Sequence, residues 1–387
     1  MESFKVLSVA GKDVDGEKSV KNALEDFKAV ENPIQSFLLL LLPWLILLFL
    51  IFFILFKFEA FKIEWTVAGV LMYISGMLAA AFSLFAFQVL MKMIPETFGK
   101  IWCRNILLES PFSYPLQIIA VGKDSEVAAL EIRQTEARFL QFIQKLQKKL
   151  NSPYQWVMGL FFTLMVYTWD WVYKFEFLIA LIIGLMAWRA VIASIYVWKL
   201  GTEFHLEPLL GHADRSGGLS PLGNLCLWNA FIITIPEIHL GGWFLLSFFA
   251  EKDSSFFEIS RAYAPLYLLL LFMFMVFALV TFFLPLWTVH RVMLEWSNRK
   301  LAQLDQLEHC IHHLESRLLN EAEKLDQKEF ERIQKEVEMM QQIYERNKNL
   351  PVWPFNMAIK LKLLVSQIIP YMGFISQVVS LIKKISG

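Results

Sequence analysis

Apolar positions along this chain gather into blocks of bilayer length separated by short polar links, and the blocks predict where the chain is embedded. A spanning helix needs about 20 mainly apolar residues, and residues 37–56 supply that with no charged side chain and only Pro43 as a breaker. A charged link (Lys57, Glu59, Lys62, Glu64) leads to a second run, Trp65 to Leu90. Trp156 to Tyr173 and Phe177 to Trp198 form a second pair, each with one charge inside the run, Asp170 and Arg189. Leu222 to Phe249 is long enough to cross, but Pro236, Glu237, His239 and Gly241-Gly242 interrupt it, which predicts a broken helix. Ala264 to Val289 is the sixth run.

The polar stretches carry a different period. Residues 125–150 place Ile132, Phe139, Ile143, Leu146 and Leu150 at helical spacing, which predicts an amphipathic helix. Beyond Val289, Leu304, Leu307, Ile311, Leu314, Leu318 and Leu325, then Phe330, Ile333, Val337, Met340 and Tyr344, recur every three or four residues among charges. That pattern predicts an antiparallel coiled-coil hairpin, with Asp326 and Glu329 as a capping box for its second helix. The uncharged run Leu363 to Ile382 has Pro370 and Gly373 near its centre and Lys360, Lys362, Lys383 and Lys384 at its ends. A re-entrant or interfacial hairpin with both ends on one side suits it better than a crossing.

The fold class expected is therefore all-α integral membrane, with six transmembrane helices, a cytoplasmic helical hairpin and a C-terminal apolar hairpin. Its sections are a tail (1–36), a first transmembrane hairpin (37–90), a cytoplasmic segment (91–155), four more spans (156–289) with a loop at 199–221, the coiled-coil hairpin (290–348) and a membrane-associated end (349–387). Composition agrees: 56% apolar and 19% charged residues, with 35 Phe and 13 Trp, are too apolar for an ordinary soluble domain. The 36 basic and 36 acidic residues cancel, so nothing points to nucleic acid. Lys and Arg number 5 before the first run, 9 between the second and third, and 14 after Val289, against 2, 1 and 2 in the opposite connections. By the positive-inside rule both termini and the 199–221 loop face the cytoplasm. Cys103, Cys226 and Cys310 are too scattered for a disulfide framework or a cysteine zinc site.

Candidate chemistry falls in two places. Inside the runs, Asp170, Arg189, Glu237 and His239 are costly in hydrocarbon, by about 2.5–3.5 kcal/mol for Asp or Arg at a helix centre, so they should face the bundle or a wet path. Arg189 lies about 15 Å, and Glu237 about 22 Å, from the cytoplasmic ends of their runs, so a static ion pair between them competes with passage of an ion past Glu237 and His239. The other place is the loop "EFHLEPLLGHADRSGGLSPLGNLC", residues 203–226. Three uses are open to it. His205, Glu207, His212 and Asp214 are ligand types for a divalent metal such as Zn²⁺, Mn²⁺ or Fe²⁺, although no cofactor is required by any motif. Arg215 with the Gly217-Gly218 backbone suits anion capture at a helix N-terminus. The third use is structural, with Asp214 accepting turn N–H groups, the glycines at positive φ and Ser220-Pro221 starting the next helix. The His309, Cys310, His312 and His313 cluster of "LEHCIHHLES" reads mainly as helix surface.

"HADRSGGLSPLG" and "PVWPF" at 351–355 resemble a group of multi-pass bacterial inner-membrane proteins of unassigned function. That group carries H-P-D-x-x-G-G-L before a membrane helix and W-P-F near the carboxyl end. Ala213 stands here where the group has proline. The resemblance covers the second half of the chain and implies a bacterial inner membrane, with no activity attached. Walker, GxGxxG, HExxH and GxSxG motifs are absent from the sequence. Three functions fit these observations: an oligomeric channel or transporter-like protein for an ion or small solute, a non-conducting scaffold or sensor that engages a cytoplasmic protein through 290–348, or a metal-dependent membrane enzyme. The lipid bilayer is the one partner common to all three.

Overall fold

The computed structural model of the chain describes residues 20, 22–25, 27, 67–104, 106–108, 124–167, 176–209, 212–249, 255–320, 326–348 and 350–386. The first apolar run and Asp170 lie outside the described residues. Among those described the structure is helical: α1 (Val67–Cys103), α2 (Asp124–Leu150), α3 (Tyr154–Tyr167), α4 (Glu176–Glu203), α5 (Ser220–Phe249), α6 (Ser255–Asn320), α7 (Gln327–Asn347), α8 (Met357–Ser366) and α9 (Ile368–Ser386). One antiparallel pair of two-residue strands, β1 (Leu107–Leu108) and β2 (His205–Leu206), sets Leu107 opposite Leu206 and Leu108 opposite His205. It ties the chain after α1 to the chain after α4.

Three helices are long and apolar enough to cross a membrane: Ala180–Glu203 in α4, Ser220–Gly242 in α5 and the apolar part of Leu268–Asn320 in α6. A fourth is available if the bent pair Met357–Ser366 and Pro370–Val379 counts as one span. α6 exposes Leu269, Phe272, Met273, Val276, Phe277, Val280 and Leu284, an apolar outer surface that suits contact with lipid tails. α5 is the central element, packing against α1, α4, α6, α8 and α9. The buried face of α2 carries Phe139, Phe142, Ile143, Leu146 and Leu150, with Phe139 stacked on Trp102 at 4.9 Å and Phe142 edge-on to Tyr196 at 5.0 Å.

Four expectations are corrected. α5 is continuous through Pro236, so the break expected there is not present. The sixth run and the following charged helix are one 66-residue helix, about 100 Å long at 1.5 Å per residue, because no Gly or Pro stands between Val289 and Gln327 to end it. α7 lies antiparallel on its distal half around Ile311, Ile333 and Val337, with Arg317 bonded to Glu329 at 3.1 Å and Gln341 to Glu315 at 2.7 Å. Asp326 makes no side-chain capping bond, and Glu329 turns to Arg317 rather than back to the helix start, so the capping box does not form.

The fourth correction concerns the carboxyl end, where α8 and α9 meet at Gln367 in a bend of 41°, far from the reversal of a hairpin. Pro370 is the third residue of α9, where a missing N–H breaks no helical bond. The contacts of this arm advance together with α5. A Cβ on Gly223 would lie 2.5 Å from the Pro354 carbonyl, Gln367 bonds Thr234 at 3.0 Å, and a Cβ on Gly373 would lie 2.6 Å from the Gly241 Cα. The arm thus runs parallel to α5 from Gly223 to Gly241, about 27 Å of helix.

That geometry predicts opposite exposure of two points. In a chain with Cys103→Ser and Ser386→Cys, a membrane-impermeant maleimide applied to sealed vesicles should reach Cys310, exposed on α6, from one side and position 386 from the other. Labelling of both positions from the same side rejects the crossing.

Candidate functional site

The conspicuous loop folds around one carboxylate. Asp214 Oδ1 accepts from Ser216 N at 2.9 Å and Gly218 N at 3.0 Å, and Oδ2 accepts from Arg104 at 3.1 Å and Ser220 N at 3.4 Å. Arg104 also donates to the Gly218 carbonyl, and His212 Nδ1 stands 2.9 Å from Oδ1. The backbone needed for this has φ of 54° at Arg215, 61° at Gly217 and 83° at Gly218, left-handed values that glycine adopts without penalty. Burial alone would raise the Asp214 carboxyl, but the Ser216 and Gly218 N–H groups and His212 outweigh it and hold the pKa below its ordinary value. The anion at the start of α5 is therefore the chain's own Asp214, and Gly218 N–H, offered by the sequence for anion capture, is already used. Arg215 is exposed.

The other loop residues go elsewhere. His205 sits in β2, where burial, then Arg299, hold its pKa below the usual histidine range against the opposing pull of Glu207 and Glu295. Glu207 N bonds the Ile106 carbonyl. Among the described residues no group of three or more His, Cys, Asp or Glu side chains gathers as metal ligands, so His205 and Glu207 do not join His212 and Asp214. What the loop does join is the carboxyl-terminal arm. Gly223, at the end of "SPLG", makes room for Pro354 and Phe355 of "VWPF". Trp353 stacks on His290 at 3.8 Å, whose Nδ1 lies 2.6 Å from the Val352 carbonyl. Phe355 packs on Phe282 at 5.2 Å.

The seam between that arm and α5 holds the polar cluster. Glu237 is 0% exposed, and neither of its carboxyl oxygens has a hydrogen-bond partner among the described residues. The neighbouring polar side chain is Gln367, at the bend between α8 and α9, close enough to interact with the carboxyl but outside hydrogen-bonding geometry. Gln367 Nε2 donates instead to Thr234 Oγ1 at 3.0 Å, and Thr234 donates to the Ala230 carbonyl at 3.0 Å, which leaves Gln367 Oε1 buried without a donor. One further polar pair lines the same helix, Asn229 Nδ2 to Ser194 Oγ of α4 at 2.9 Å.

The ion pair weighed between Arg189 and Glu237 does not form. Arg189, 1% exposed, donates to Asn151 Oδ1 at 3.2 Å and stands 5.5 Å over the Phe87 ring, and so ties the middle of α4 to the α2–α3 turn. His239 is partly buried two residues beyond Glu237. Sequence reasoning missed Arg104, Thr234 and Gln367. The signal for Gln367 was a Ser-Gln pair inside the apolar run Leu363 to Ile382, where polar side chains are expensive. No family model matches the chain, and neither curated proteins nor solved structures give a significant match.

The Asp214 hub generates a pH-dependent prediction. A depressed folded pKa adds stability that is complete at neutral pH and is lost as pH falls below the ordinary value of 3.8 and through the folded one. Asp214→Asn should cost on the order of 2 kcal/mol at pH 7, the scale of hydrogen bonds to a charged group. Melting of detergent-solubilised protein over a pH series reads this. Equal melting temperatures of the two proteins at pH 7 would count against the hub.

Proposed function

We propose that the protein is a multi-pass inner-membrane channel or transporter-like protein, that a small ion moves along the seam between α5 and the bent α8–α9 arm, and that Glu237 is the group the ion meets. The observation that carries this is the Glu237 carboxyl, fully buried within a membrane-length helix, with Gln367 as its polar neighbour and no well-formed hydrogen bond to either oxygen among the described residues. Ionisable groups buried in spanning helices are rare and recur in ion and substrate paths, and a discontinuous helix beside such a group is a recurrent way of exposing polar backbone at membrane depth. Pro236 supports the same reading, since it withholds a backbone donor from the Ile232 carbonyl four residues before it. The loop and the "PVWPF" segment act in this reading as the seat that fixes the arm against α5. The orientation follows the charge asymmetry of the sequence, with the Asp214 loop and the α6–α7 pair in the cytoplasm. The resemblance to bacterial inner-membrane proteins is part of the proposal.

Glu237→Gln preserves shape and removes the charge. In proteoliposomes it should lower the rate of ion flux by about tenfold or more, equivalent to at least about 1.4 kcal/mol in the barrier, while leaving the melting temperature equal or higher because a buried charge without a partner is relieved. Flux unchanged by the substitution would remove Glu237 from the path and leave the α6–α7 pair, as a docking element for a cytoplasmic protein, the better explanation of the molecule.

A further inference from the structure

A groove of about 260 Å³ lies between the carboxyl half of α1 and the start of α5, with Glu96, Lys100 and Arg104 on one wall and Asn224 and Trp228 on the other. Among the described residues, none from the arm lines it. Its level follows from the apolar runs. The second ends at Leu90 and the fifth begins at Leu222, so the charged groups stand where hydrocarbon gives way to headgroups. Towards the hydrocarbon the wall turns aromatic: Trp228 meets Phe85 edge-on at 6.4 Å and Phe231 at 5.5 Å, and Phe82 and Phe85, one helical turn apart, are each more than half exposed. A charged cleft that opens onto an exposed apolar track matches the two ends of a lipid, a phosphate and an acyl chain. We infer that this groove seats one phospholipid with a monoanionic headgroup, of the phosphatidylglycerol class, drawn from the leaflet on the side of the Asp214 loop.

Charge selects the headgroup. Asp214 is taken by Arg104 at 3.1 Å and by the N–H groups of its own loop. The remaining carboxylate, Glu96, is shared by Lys92 at 3.9 Å and Lys100 at 3.6 Å. Two ammonium groups on one carboxylate leave a single positive charge unbalanced at the mouth of the groove, which one phosphodiester neutralises. The Lys100 side chain is 58% exposed, and its flexible stem lets the ammonium swing from Glu96 to a phosphate oxygen. Asn224, half-buried on the opposite wall, offers an amide donor to the same phosphate. A zwitterionic headgroup would bring its own ammonium into a groove that already holds excess positive charge, and a divalent metal ion would meet the same excess. Free phosphate would satisfy the lysines but leave the Phe82–Phe85 track uncovered. Basic pockets at the ends of spanning helices are a recurrent way of holding anionic headgroups.

The test is native mass spectrometry of the full chain, purified in detergent and equilibrated with equal amounts of phosphatidylglycerol, phosphatidylethanolamine and phosphatidylcholine. Wild type should retain one phosphatidylglycerol in preference to either zwitterionic lipid. Lys92→Gln combined with Lys100→Gln should lower that retention by about tenfold or more, and Asn224→Leu should lower it less. Lys360→Gln, a control on α8 outside the groove, should leave it unchanged. Melting in detergent checks that each variant is folded; if the double variant is not, Asn224→Leu decides, and undiminished retention in it overturns the site. Equal retention of the three lipids by wild type, or phosphatidylglycerol retention that survives in the folded double variant, overturns it as well. An equal loss in Lys360→Gln would make the effect that of any basic surface, and displacement of the lipid by inorganic phosphate at the same concentration would assign the groove to a free anion; either defeats the lipid site. None of these outcomes touches the ion path proposed at Glu237, because the groove and the seam share no residue.

Discussion

The close approach of the carboxyl-terminal arm to α5 is the constraint on which the polar seam depends. It is achieved by removing side chains at both ends of the contact. Gly223 admits the Pro354 carbonyl and the Phe355 side chain, and Gly241 and Gly373 bring two helix backbones together. Any Cβ at Gly223 or Gly373 would fall under 3 Å from backbone atoms, a separation that no rotamer change relieves. Between these two fixed points the arm must pass Thr234, Glu237 and their neighbours, and the 41° bend at Gln367 places an amide beside Glu237. Small residues at such crossings are the usual route to tight helix packing in membranes, where lipid tails remove the hydrophobic drive for one helix to prefer another.

The fixed end of the arm is built with unusual redundancy. The β1–β2 pair, the Arg104–Asp214 contact and the "VWPF" stack all lie where α1 and α4 end and α5 begins. α6 touches the arm at both levels, through Phe282 and Phe355 near the loop and through Phe272 and Phe374 further along. Each aromatic pair adds about 0.5–1.5 kcal/mol beyond its buried area, so the arm is held by packing along its length and by hydrogen bonds chiefly where it meets Thr234.

Much of the helical skeleton was legible in the chain. Apolar runs of bilayer length have few structural outlets, and the amphipathic face of α2 followed from Phe139, Ile143, Leu146 and Leu150, all of them buried. Two of the errors share a cause. Pro236 and Pro370 were weighed as local breakers, but proline's effect depends on position: Pro370 falls in the first turn of α9 and costs no helical bond, while α5 absorbs Pro236 without ending. The bend instead came at Gln367, where no breaker stands. Pairings across the fold were likewise beyond local patterns. Arg189 and Glu237 are close in axial depth, yet Asn151 and Phe87 take the first and Gln367 borders the second, because depth along a helix does not specify the face on which a side chain emerges.

The same limit explains why the loop drew attention that the seam deserved. Histidines, acids and paired glycines are conspicuous in a sequence, but once folded the Asp214 carboxylate collects three backbone N–H groups and a guanidinium, and a group so fully engaged has nothing left to offer a ligand. Glu237 is one acid in an apolar run, inconspicuous by composition, and its oxygens have no such company. The difference is one of location: the loop carboxylate sits where backbone N–H groups of a turn are free to be collected, whereas Glu237 emerges from the middle of a helix whose own N–H groups are already committed to the helical ladder.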